Sequence, residues 1–360
     1  MNKISSKMVI TTPDLSKAGG VSIFVNAFKG RWNLEEIYFV RGGKGNNIFI
    51  KVILTIFDLF KFLWTAIKYR KEIFFINTSM NENAFKRDAL FLNLLKILDI
   101  HPNVFIHGFK ASFFQQLSYN QLKVLENSQN IFVLSQEHKD LICRKINFKN
   151  IYIETTVADE KFATFPFPEK KIEPTKLNIL FLGRLENRKG IWQLLEAFES
   201  LDAEKLNISL EIVGHGTEEM AIKEWLRVKQ LSNIKFSGKL MGEDKVKAYN
   251  RNQLFILPSD IEGEGLPITV IEAMFAGLVV LSTKAGGVVD FFQNDKMGTI
   301  LDSNNSIEIT EKIKYIASKT SNELENISNY NKQFANKNFR VDIVANRIKN
   351  IILNGTSKNN

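Results

Sequence analysis

Residues 177–190 read L-N-I-L-F-L-G-R-L-E-N-R-K-G, and this stretch decides the fold class. Residues 177–183 form an apolar run that ends in glycine, as expected of a parallel strand buried on both faces. Apolar residues then recur at helical spacing, at Ile191, Leu194, Leu195 and Phe198. A buried strand that passes through a short polar turn into a helix predicts an α/β sheet.

The same alternation of strand and helix runs along the whole chain. The predicted strands are residues 8–12, 37–40, 73–77, 104–107, 131–135, 151–154, 178–182, 209–213, 234–236, 254–257, 279–282 and 299–301. The helical patterns of the first half are residues 21–28, 48–70, 84–98 and 137–145. Because right-handed crossovers join such elements, we predict mostly parallel, doubly wound sheets.

The length of 360 residues favours two domains over one. Residues 165–175 read F-P-F-P-E-K-K-I-E-P-T, and three prolines among charged residues predict a semi-rigid linker. We place the linker at 166–175, between domains of residues 1–165 and 176–335. An apolar stripe from Phe339 to Ile351 predicts a helix within the remaining residues 336–360.

The composition is that of a soluble globular protein, with 44% hydrophobic and 24% charged residues. A single cysteine, Cys143, excludes an internal disulfide and fits a reducing compartment. Residues 1–10 contain no apolar segment long enough for a signal peptide. We therefore expect a cytoplasmic protein.

The net charge of +9 raises the question of an anionic partner. We find no helix-turn-helix spacing, zinc-ligand cluster or RNP-like aromatic motif, so a nucleic acid is not expected. An anionic membrane surface, at the inner face of the plasma membrane, is the favoured partner. A basic protein without such a partner is the alternative, and the oligomeric state does not follow from the sequence.

Residues 48–70 form the one long apolar segment. Polar residues recur there every three or four positions, at Lys51, Thr55, Asp58, Lys61, Thr65 and Lys68. They predict one polar stripe along an amphipathic helix, and Asp58 and Lys61 near its middle exclude a transmembrane helix. We expect the helix to pack on a sheet, largely buried; a position partly in a membrane surface is the alternative.

Two cationic residues flank the turn that follows the strand at 177–183. Arg184 and Lys189 lie between that strand and the next helix, where α/β sheets bind phosphates. A bidentate guanidinium and a compact ammonium together suit a diphosphate. Ordinary surface residues in a connecting loop are the alternative.

A pair of carboxylates stands in residues 261–277, which read I-E-G-E-G-L-P-I-T-V-I-E-A-M-F-A-G. Pro267 is predicted at the first helical position, so Glu264 lies in the loop before the helix and Glu272 on its second turn. Because helical side chains lean toward the N-terminus, both carboxylates can face one pocket. Carboxylates only accept hydrogen bonds, which suits a polyhydroxylated ligand. The alternative is a solvated acidic loop before a packed helix.

Three motifs, in this order, resemble the retaining glycosyltransferases of family 4. They are Gly183-Arg184-Leu185-x3-Lys189-Gly190, Leu257-Pro258-Ser259 and Glu264-Gly265-Leu266-Pro267-x4-Glu272-Ala273-Met274-x2-Gly277. The resemblance extends over nearly the whole chain and is weaker before residue 175. It implies the GT-B fold, in which two doubly wound Rossmann-like domains face each other across a cleft. The N-terminal domain would bind the acceptor, the C-terminal domain the nucleotide-sugar, and the C-terminal helix would return to the first domain.

The resemblance also implies roles for the motif residues. Glu272 would hold the ribose hydroxyls, and Glu264 would contact the donor sugar beside its anomeric carbon. Gly265 and Leu266 belong to the same donor-binding loop, while Arg184 and Lys189 would neutralise the departing diphosphate. We expect no metal and no cofactor, because the nucleotide-sugar is a substrate; a UDP-sugar is favoured over a GDP-sugar.

Two further features of the first half match the same family. Gly19 and Gly20 follow the first strand and let the backbone approach a ligand closely. The resemblance assigns this turn to the donor, and a plain helix-entry turn is the alternative. His107 ends the fourth strand, at the rim where α/β folds bind ligands. It would donate a hydrogen bond to a sugar hydroxyl or to the departing phosphate.

One more turn resembles a donor-phosphate motif of the family, T-x2-G-G-x2-E. Here it reads Thr283-x2-Gly286-Gly287-x2-Asp290, so Asp290 replaces the usual glutamate and its role is left open. Gly286 and Gly287 are the expected donor contacts.

Together these features predict a retaining, metal-independent glycosyltransferase. It would move a sugar from a nucleoside diphosphate donor to a glycan or lipid-linked acceptor, without a clear enzymic nucleophile, and domain closure would exclude water. A chain rich in Lys, Asn and Ile suggests an AT-rich bacterium and surface-polysaccharide assembly (O-antigen, capsule or lipopolysaccharide). The alternatives are a sugar-nucleotide epimerase or hydrolase of the same fold, and a non-catalytic subunit that binds a partner enzyme.

Overall fold

The computed structural model describes residues 6–16, 19–41, 48–260 and 265–355. Within these ranges the chain forms two compact units. The first unit runs to Val157 and also takes in Gly265–Leu266 and the chain from Val341 onward. The second unit contains the rest, from Ala158 to Arg340.

Each unit is built on a six-stranded sheet whose strand pairs are all parallel. The strands of the first are β1 (Lys7–Thr12), β2 (Glu35–Val40), β3 (Ile73–Met80), β4 (Asn103–Phe109), β5 (Asn130–Val133) and β6 (Ile151–Ile153), in the order β2-β1-β3-β4-β5-β6. Those of the second are β7 (Leu177–Arg184), β8 (Ile208–His215), β9 (Ile234–Gly238), β10 (Leu254–Leu257), β11 (Val279–Thr283) and β12 (Gly298–Leu301), in the order β12-β11-β10-β7-β8-β9.

Helices connect the strands in both units. They are α1 (Gly20–Phe28), α2 (Ile48–Lys68), α3 (Glu82–Ile97), α4 (Ala111–Gln116), α5 (Tyr119–Leu122), α6 (Gln136–Lys145), α7 (Glu160–Thr164), α8 (Ile191–Ala203), α9 (Glu219–Lys229), α10 (Gly242–Arg251), α11 (Ile268–Phe275), α12 (Ser306–Ala317), α13 (Ser321–Asn338) and α14 (Val341–Gly355). Short 3-10 turns span Lys123–Asn127, Asn187–Lys189 and Gly286–Val288. Of the helices described, none is long and apolar enough to span a bilayer.

The predicted α/β class, with two doubly wound parallel sheets, is confirmed. Each predicted strand corresponds to an observed one, and the central strands are apolar runs, as burial on both faces requires. The short helices α4 and α5 between β4 and β5 were not predicted. Helix α11 begins at Ile268, one residue later than predicted, with Pro267 at the position before it.

The core of the first unit shows which helices share a side of its sheet. One face of the strands packs with Phe62 of α2, Phe91 of α3 and Val124 of the 123–127 turn, all of them buried. The opposite face packs with α1, whose Phe24 lies 4.8 Å from the ring of Phe105. Helices α2 and α3 therefore cover the same side of the sheet, as right-handed crossovers in one direction require.

Helix α2 packs on the sheet as expected, but the expectation that it is largely buried is wrong. Asp58 and Thr65 are buried, at 7% and 8% exposure, although they belong to the polar stripe. The apolar side of the helix is instead largely exposed, with Phe60 at 69% and Trp64 at 63%. The buried Arg41 guanidinium accounts for the inward Asp58, since the two opposite charges interact.

Two segments outside the sheets are anchored by charged side chains. The predicted linker, 166–175, packs within the second unit, where Lys170 donates hydrogen bonds to the carbonyls of Tyr249 (3.1 Å) and Asn252 (2.8 Å) at the end of α10. Helix α14 packs in the first unit against α1 and β5. Its Arg347 forms an ion pair with the buried Glu154 at 2.9 Å.

Candidate functional site

The carboxyl edge of the second sheet brings three of the sequence motifs together. Strands β7, β10 and β11 are neighbours there, so the turns that follow them lie side by side. The amide of Asp260 donates to the carbonyl of Arg188 at 2.8 Å, and the Thr283 hydroxyl donates to the carbonyl of Ser259 at 2.7 Å. The three turns thus form one hydrogen-bonded edge, where parallel sheets bind ligands. We call these turns, residues 184–190, 258–260 and 284–290, the binding edge.

At Gly190 two turns of the binding edge come into close contact. Gly190 adopts a φ of +68°, and a Cβ built there would lie 2.0 Å from the carbonyl oxygen of Pro258. Only glycine tolerates both the left-handed backbone and this contact. Gly190 therefore sets the position of the preceding 3-10 turn and, with it, of Lys189.

A cluster of cations surrounds one carboxylate in the binding edge. Glu186 forms ion pairs of 2.8 Å with both Arg184 and Arg188. Burial raises the pKa of Glu186, but the hydrogen bond from Arg188 and the nearby charges of Arg184 and Lys189 lower it more, so it lies below its ordinary value. The Arg184 side chain is 59% exposed, whereas Lys189 is 8% exposed. With three cationic residues and one carboxylate, residues 184–190 by themselves carry a net positive charge.

Ser259 supplies a hydroxyl without a protein partner in the same edge. The side chain is fully buried, and its Oγ makes no hydrogen bond to the part of the chain that the structure describes. A buried hydroxyl of this kind costs free energy unless a ligand or water satisfies it. Next to it, Gly286 and Gly287 are buried in a 3-10 turn, with Gly286 at a φ of +51°, while Asp290 is exposed.

Glu272 lies in a second cluster of the same unit, with two partners from helix α10. Its carboxylate accepts hydrogen bonds from Lys245 Nζ at 2.6 Å and from the Tyr249 hydroxyl at 2.8 Å. Glu272 is 1% exposed and Lys245 23% exposed, so Lys245 covers the carboxylate on its outer side. Burial and the Glu272 charge raise the pKa of Tyr249 well above its ordinary value, which keeps the hydroxyl protonated as a donor. A ligand reaches Glu272 only when Lys245 moves.

In the first unit, the ring of His107 is held by a hydrogen bond to Asn77. His107 Nε2 lies 2.7 Å from Asn77 Oδ1, while the Asn77 amide nitrogen donates to the Thr11 carbonyl at 2.8 Å. Because Asn77 turns its oxygen to the histidine, Nε2 must carry the proton, and Nδ1 is the acceptor. Burial lowers the pKa of His107 to about 3, and the charge of Arg41 acts in the same direction.

This tautomer bears on the hydrogen bond that His107 was expected to donate. A hydrogen bond donated to a sugar hydroxyl or a phosphate would need a free N–H, but Asn77 takes that of Nε2. The neutral ring can only accept a hydrogen bond through Nδ1. The ring is further fixed by stacking on Phe105, with centroids 4.3 Å apart, and by an edge contact with Phe24 at 4.7 Å.

A buried ion network, centred on Asp88, contacts the backbone of Asn77. Asp88, fully buried, accepts hydrogen bonds from Arg41 at 3.0 Å, from Arg87 at 2.8 Å and from Thr78 at 2.8 Å. Arg41 also donates to the Asn77 carbonyl at 2.9 Å. The network fixes the backbone at the end of β3, and hence the Asn77 side chain that orients His107.

Several other predicted residues also lie in the first unit. A Cβ on Gly265 would lie 2.4 Å from the His107 carbonyl oxygen, so only glycine allows this loop to pass so close. Leu266 beside it is buried at 7% exposure. Gly19 and Gly20 are exposed at the start of α1, and no atom lies within 4 Å of a Cβ built on Gly20. Glu264 lies outside the described residues.

A surface cavity at the β12 end of the second sheet borders the binding edge, with which it shares Lys284 and Val289. Its volume is about 410 Å³, and Lys284, Asp295, Asp302 and Lys312 are among its lining residues. None of the predicted site residues that the structure describes lines it.

Sequence reasoning missed several residues that the structure places in the clusters, Glu186 among them. Arg188 lies within the R-L-E-N-R-K-G turn, and its spacing from Glu186 was the available signal. Lys245 and Tyr249 share one face of α10, but nothing in the sequence pairs them with Glu272. Asn77 ends a predicted strand, and its link to His107 depends on the pairing of β3 with β4.

Comparison with known proteins finds a family model that matches the second unit. Residues 164–334 match the model of the family described as glycosyl transferases group 1. The capsular polysaccharide biosynthesis glycosyltransferase CapM of Staphylococcus aureus is 26% identical over 171 residues, 47% of this chain and 42% of the relative. The O-antigen chain mannosyltransferase C of Escherichia coli is 29% identical over 133 residues, 37% of this chain and 34% of the relative. The chain thus spans less than half the length of either relative.

A solved structure extends the likeness to both units. The structure of Anabaena Alr3699/HepE in complex with UDP is 16% identical, covers 95% of this chain and 98% of its own, and has a TM-score of 0.71. At this identity the likeness shows the fold, which is the GT-B fold that the motifs predicted. Residues 164–334 belong to the glycosyl transferases group 1 family.

Proposed function

We propose that this chain is a retaining, metal-independent glycosyltransferase that moves a sugar from a nucleoside diphosphate donor to a glycan or lipid-linked acceptor. The observation that carries the proposal is the binding edge, where Arg184, Arg188 and Lys189 surround Glu186 beside the unpartnered Ser259 hydroxyl. The edge lies within the stretch that belongs to the glycosyl transferases group 1 family.

The binding edge is suited to the diphosphate of such a donor. Glycosyl transfer leaves negative charge on the departing diphosphate, and fixed cations stabilise that charge as it develops. One well-placed charged donor contributes about 3–4 kcal/mol of transition-state stabilisation, by analogy with oxyanion holes. We assign Arg184 and Lys189 to this role, with Ser259 and the Gly286–Gly287 turn as further contacts. Residues of this chain supply the countercharge, and for this reason we propose transfer without a metal.

Glu272 is the proposed ribose contact. Each carboxylate oxygen accepts more than one hydrogen bond, so ribose hydroxyls can join the Tyr249 hydroxyl there. Because Lys245 covers Glu272, we infer that Lys245 swings outward when the donor binds and then lies beside the ribose or the phosphate. Tyr249 stays in place and holds the carboxylate in its orientation.

The proposed role of His107 is to accept a hydrogen bond from a sugar hydroxyl through Nδ1. This role differs from donation to the departing phosphate, and it follows from the bond between His107 and Asn77. As the resemblance implies, we propose that Glu264, Gly265 and Leu266 contact the donor sugar. Gly19 and Gly20 are likewise proposed to contact the donor. As the resemblance also implies, retention is expected through a front-face reaction assisted by the departing phosphate.

The relatives suggest the substrates and the setting. The solved HepE structure contains UDP, so we propose a UDP-sugar as the donor. The named roles of CapM and of the mannosyltransferase, in capsule and O-antigen synthesis, support an acceptor of bacterial surface-polysaccharide assembly. If the acceptor is lipid-linked it lies at a membrane, and we propose that the protein works at the inner face of the plasma membrane.

The test is a transfer assay with UDP-, GDP- and ADP-sugars and a panel of lipid-linked acceptors, without added metal and with EDTA. We expect transfer from one nucleotide-sugar only when an acceptor is present, with retained anomeric configuration by NMR. Lys189→Met and Glu272→Gln should each lower kcat/KM at least tenfold. Turnover without an acceptor would instead favour an epimerase or hydrolase, and undiminished transfer by the Lys189 variant would refute the donor site.

A further inference from the structure

The outer face of α2 carries a concentration of exposed apolar side chains. Their spacing is helical, and their exposures are Ile53 64%, Ile56 48%, Phe57 66%, Phe60 69%, Trp64 63% and Ile67 58%. On the neighbouring helix α3, Ile97 is also exposed, at 78%. A contiguous apolar surface of this kind marks an interaction site.

The orientation of α2 makes this exposure more informative. An ordinary surface helix turns its polar stripe to water. Here Asp58 and Thr65 of that stripe are buried and the wider apolar side is outward. Phe62 and Ala66 attach the helix to the core, whereas Phe60 and Trp64 point outward and are not part of that core.

Cations accompany the apolar face. Lys61, Lys68, Arg70 and Lys71 are exposed along and just beyond the second half of α2. The Lys68 ammonium lies 4.9 Å from the centre of the Trp64 ring, so it reaches over the apolar face. Aromatic rings with lysines at their edge are the side chains that sit at a membrane interface.

A basic cavity opens on the same side of the sheet. It lies between α3 and the 123–127 turn, has a volume of about 350 Å³, and is lined by Lys86, Lys96 and Lys123 with the amides of Asn93 and Asn120. Of the described residues that line it, none carries a carboxylate. Because α2 contacts α3 and α3 contacts that turn, the cavity and the apolar face belong to one side of the unit.

We propose that the α2 face, defined as Ile53, Ile56, Phe57, Phe60, Trp64 and Ile67, docks on a bilayer of anionic phospholipid while the lysine-lined cavity takes a lipid phosphate. The aromatic side chains enter the headgroup boundary, and the lysines face the negative surface. Charge selects this occupant over a second copy of the chain, because two faces with the same lysines would repel each other. The inference deepens the membrane location proposed above and rests on it, but it does not depend on the transfer chemistry.

The experiment is sedimentation of the full-length protein with vesicles of phosphatidylcholine alone or with 40% phosphatidylglycerol, at about 50 and 300 mM salt, without any donor sugar. We expect binding to the anionic vesicles only, weakened at the higher salt. Phe60→Ser/Trp64→Ser should lower the partition coefficient at least tenfold. Lys86→Gln/Lys96→Gln/Lys123→Gln should lower it roughly 100-fold at low salt, from about fivefold for each lysine. The control Met220→Ser/Ile307→Ser removes equally exposed apolar side chains from the second unit and should bind as the wild type does.

Two further measurements keep the outcomes separate. Circular dichroism shows whether each variant is folded, and Trp64 fluorescence in the wild type should shift to the blue with anionic vesicles, a shift that Trp64→Phe removes. If the α2 and lysine variants still bind vesicles as the wild type does, the proposed docking surface is refuted, but the membrane location is not. Absence of binding would overturn both, as would a wild-type dimer that Phe60→Ser/Trp64→Ser converts to a monomer without any vesicle binding. The transfer assay above is read separately, so failure there is not mistaken for failure here.

Discussion

The Asn77 side-chain oxygen lies 2.7 Å from Nε2 of His107, and it decides which nitrogen of that ring carries the proton. Because the amide nitrogen of Asn77 donates to the Thr11 carbonyl, the amide oxygen is the atom that faces His107. A short polar contact between neighbouring strands β3 and β4 thus sets the chemistry of a residue at the sheet rim.

Asn77→Asp should change the ionisation of His107. In the wild type, burial lowers the pKa of His107 to about 3, so the ring stays neutral with its proton on Nε2 throughout pH 5–8. A carboxylate at position 77 stabilises the imidazolium and raises that pKa. Long-range ¹⁵N spectra of the ring distinguish the tautomers and follow the titration. A wild-type proton on Nδ1, or titration near pH 6.5, would contradict the account.

Stability should fall as the pH falls through the range in which buried histidines resist protonation. Burial lowers the pKa of His107 to about 3 and that of His138 to about 4, from 6.5. Above pH 6.5 the histidines are neutral in both states and do not reduce the free energy of unfolding. Below pH 6.5 they bind protons in the unfolded chain but not in the folded chain, which favours unfolding. The free energy of unfolding then drops by about 1.4 kcal/mol per pH unit for each histidine, down to about pH 4.

The variant His138→Phe tests this slope, since it removes one of the two titrating rings. His138 stacks on Phe109 with the ring centres 4.4 Å apart, so an apolar ring fits in its place. Urea denaturation between pH 6 and 4.5 should show a slope smaller by about 1.4 kcal/mol per pH unit in this variant. An unchanged slope would mean that His138 is not responsible.

Tyr249→Phe should destabilise the second unit. The substitution removes the hydrogen bond that Oε2 of the buried Glu272 accepts from the tyrosine, while Oε1 keeps its bond from Lys245. We expect the free energy of unfolding to fall by about 1–3 kcal/mol. Tyr119→Phe is the matched control, because Tyr119 is 54% exposed and its hydroxyl bonds Glu126 at 3.2 Å. Its loss should stay within about 0.5 kcal/mol in the same urea titration.

Gly190→Ala should be far more harmful than Gly30→Ala. Both glycines have positive φ, +68° and +77°, so alanine costs about 1–2 kcal/mol at either position. At Gly190 the new methyl would also meet the Pro258 carbonyl at 2.0 Å, whereas nothing lies within 4 Å at Gly30. We expect a total loss of at least about 3 kcal/mol for Gly190→Ala in thermal or urea unfolding. Equal losses for the two variants would show that the tight contact between the turns is absent.

The sheets could be predicted from the sequence because buried parallel strands and helices have different apolar periods. The face that α2 turns to solvent could not, since periodicity locates a stripe but not the distant group, Arg41, that draws Asp58 inward. The turn with Arg184 and Lys189 was local in sequence and so was found. The partners of Glu272 were not, because Lys245 and Tyr249 come from a separate helix that only the packing of the second unit brings near.

The most direct test of the central claim, a nucleotide donor held at the binding edge of the second unit, is calorimetric titration of the protein with UDP. We expect one UDP per chain and at least tenfold weaker binding by Lys189→Met. Lys223→Met, which removes an exposed lysine of α9 paired with Glu219 at 2.7 Å, should bind as the wild type does. Equal affinities of wild type and Lys189→Met, or no binding of UDP, GDP or ADP by the folded protein, would contradict the claim.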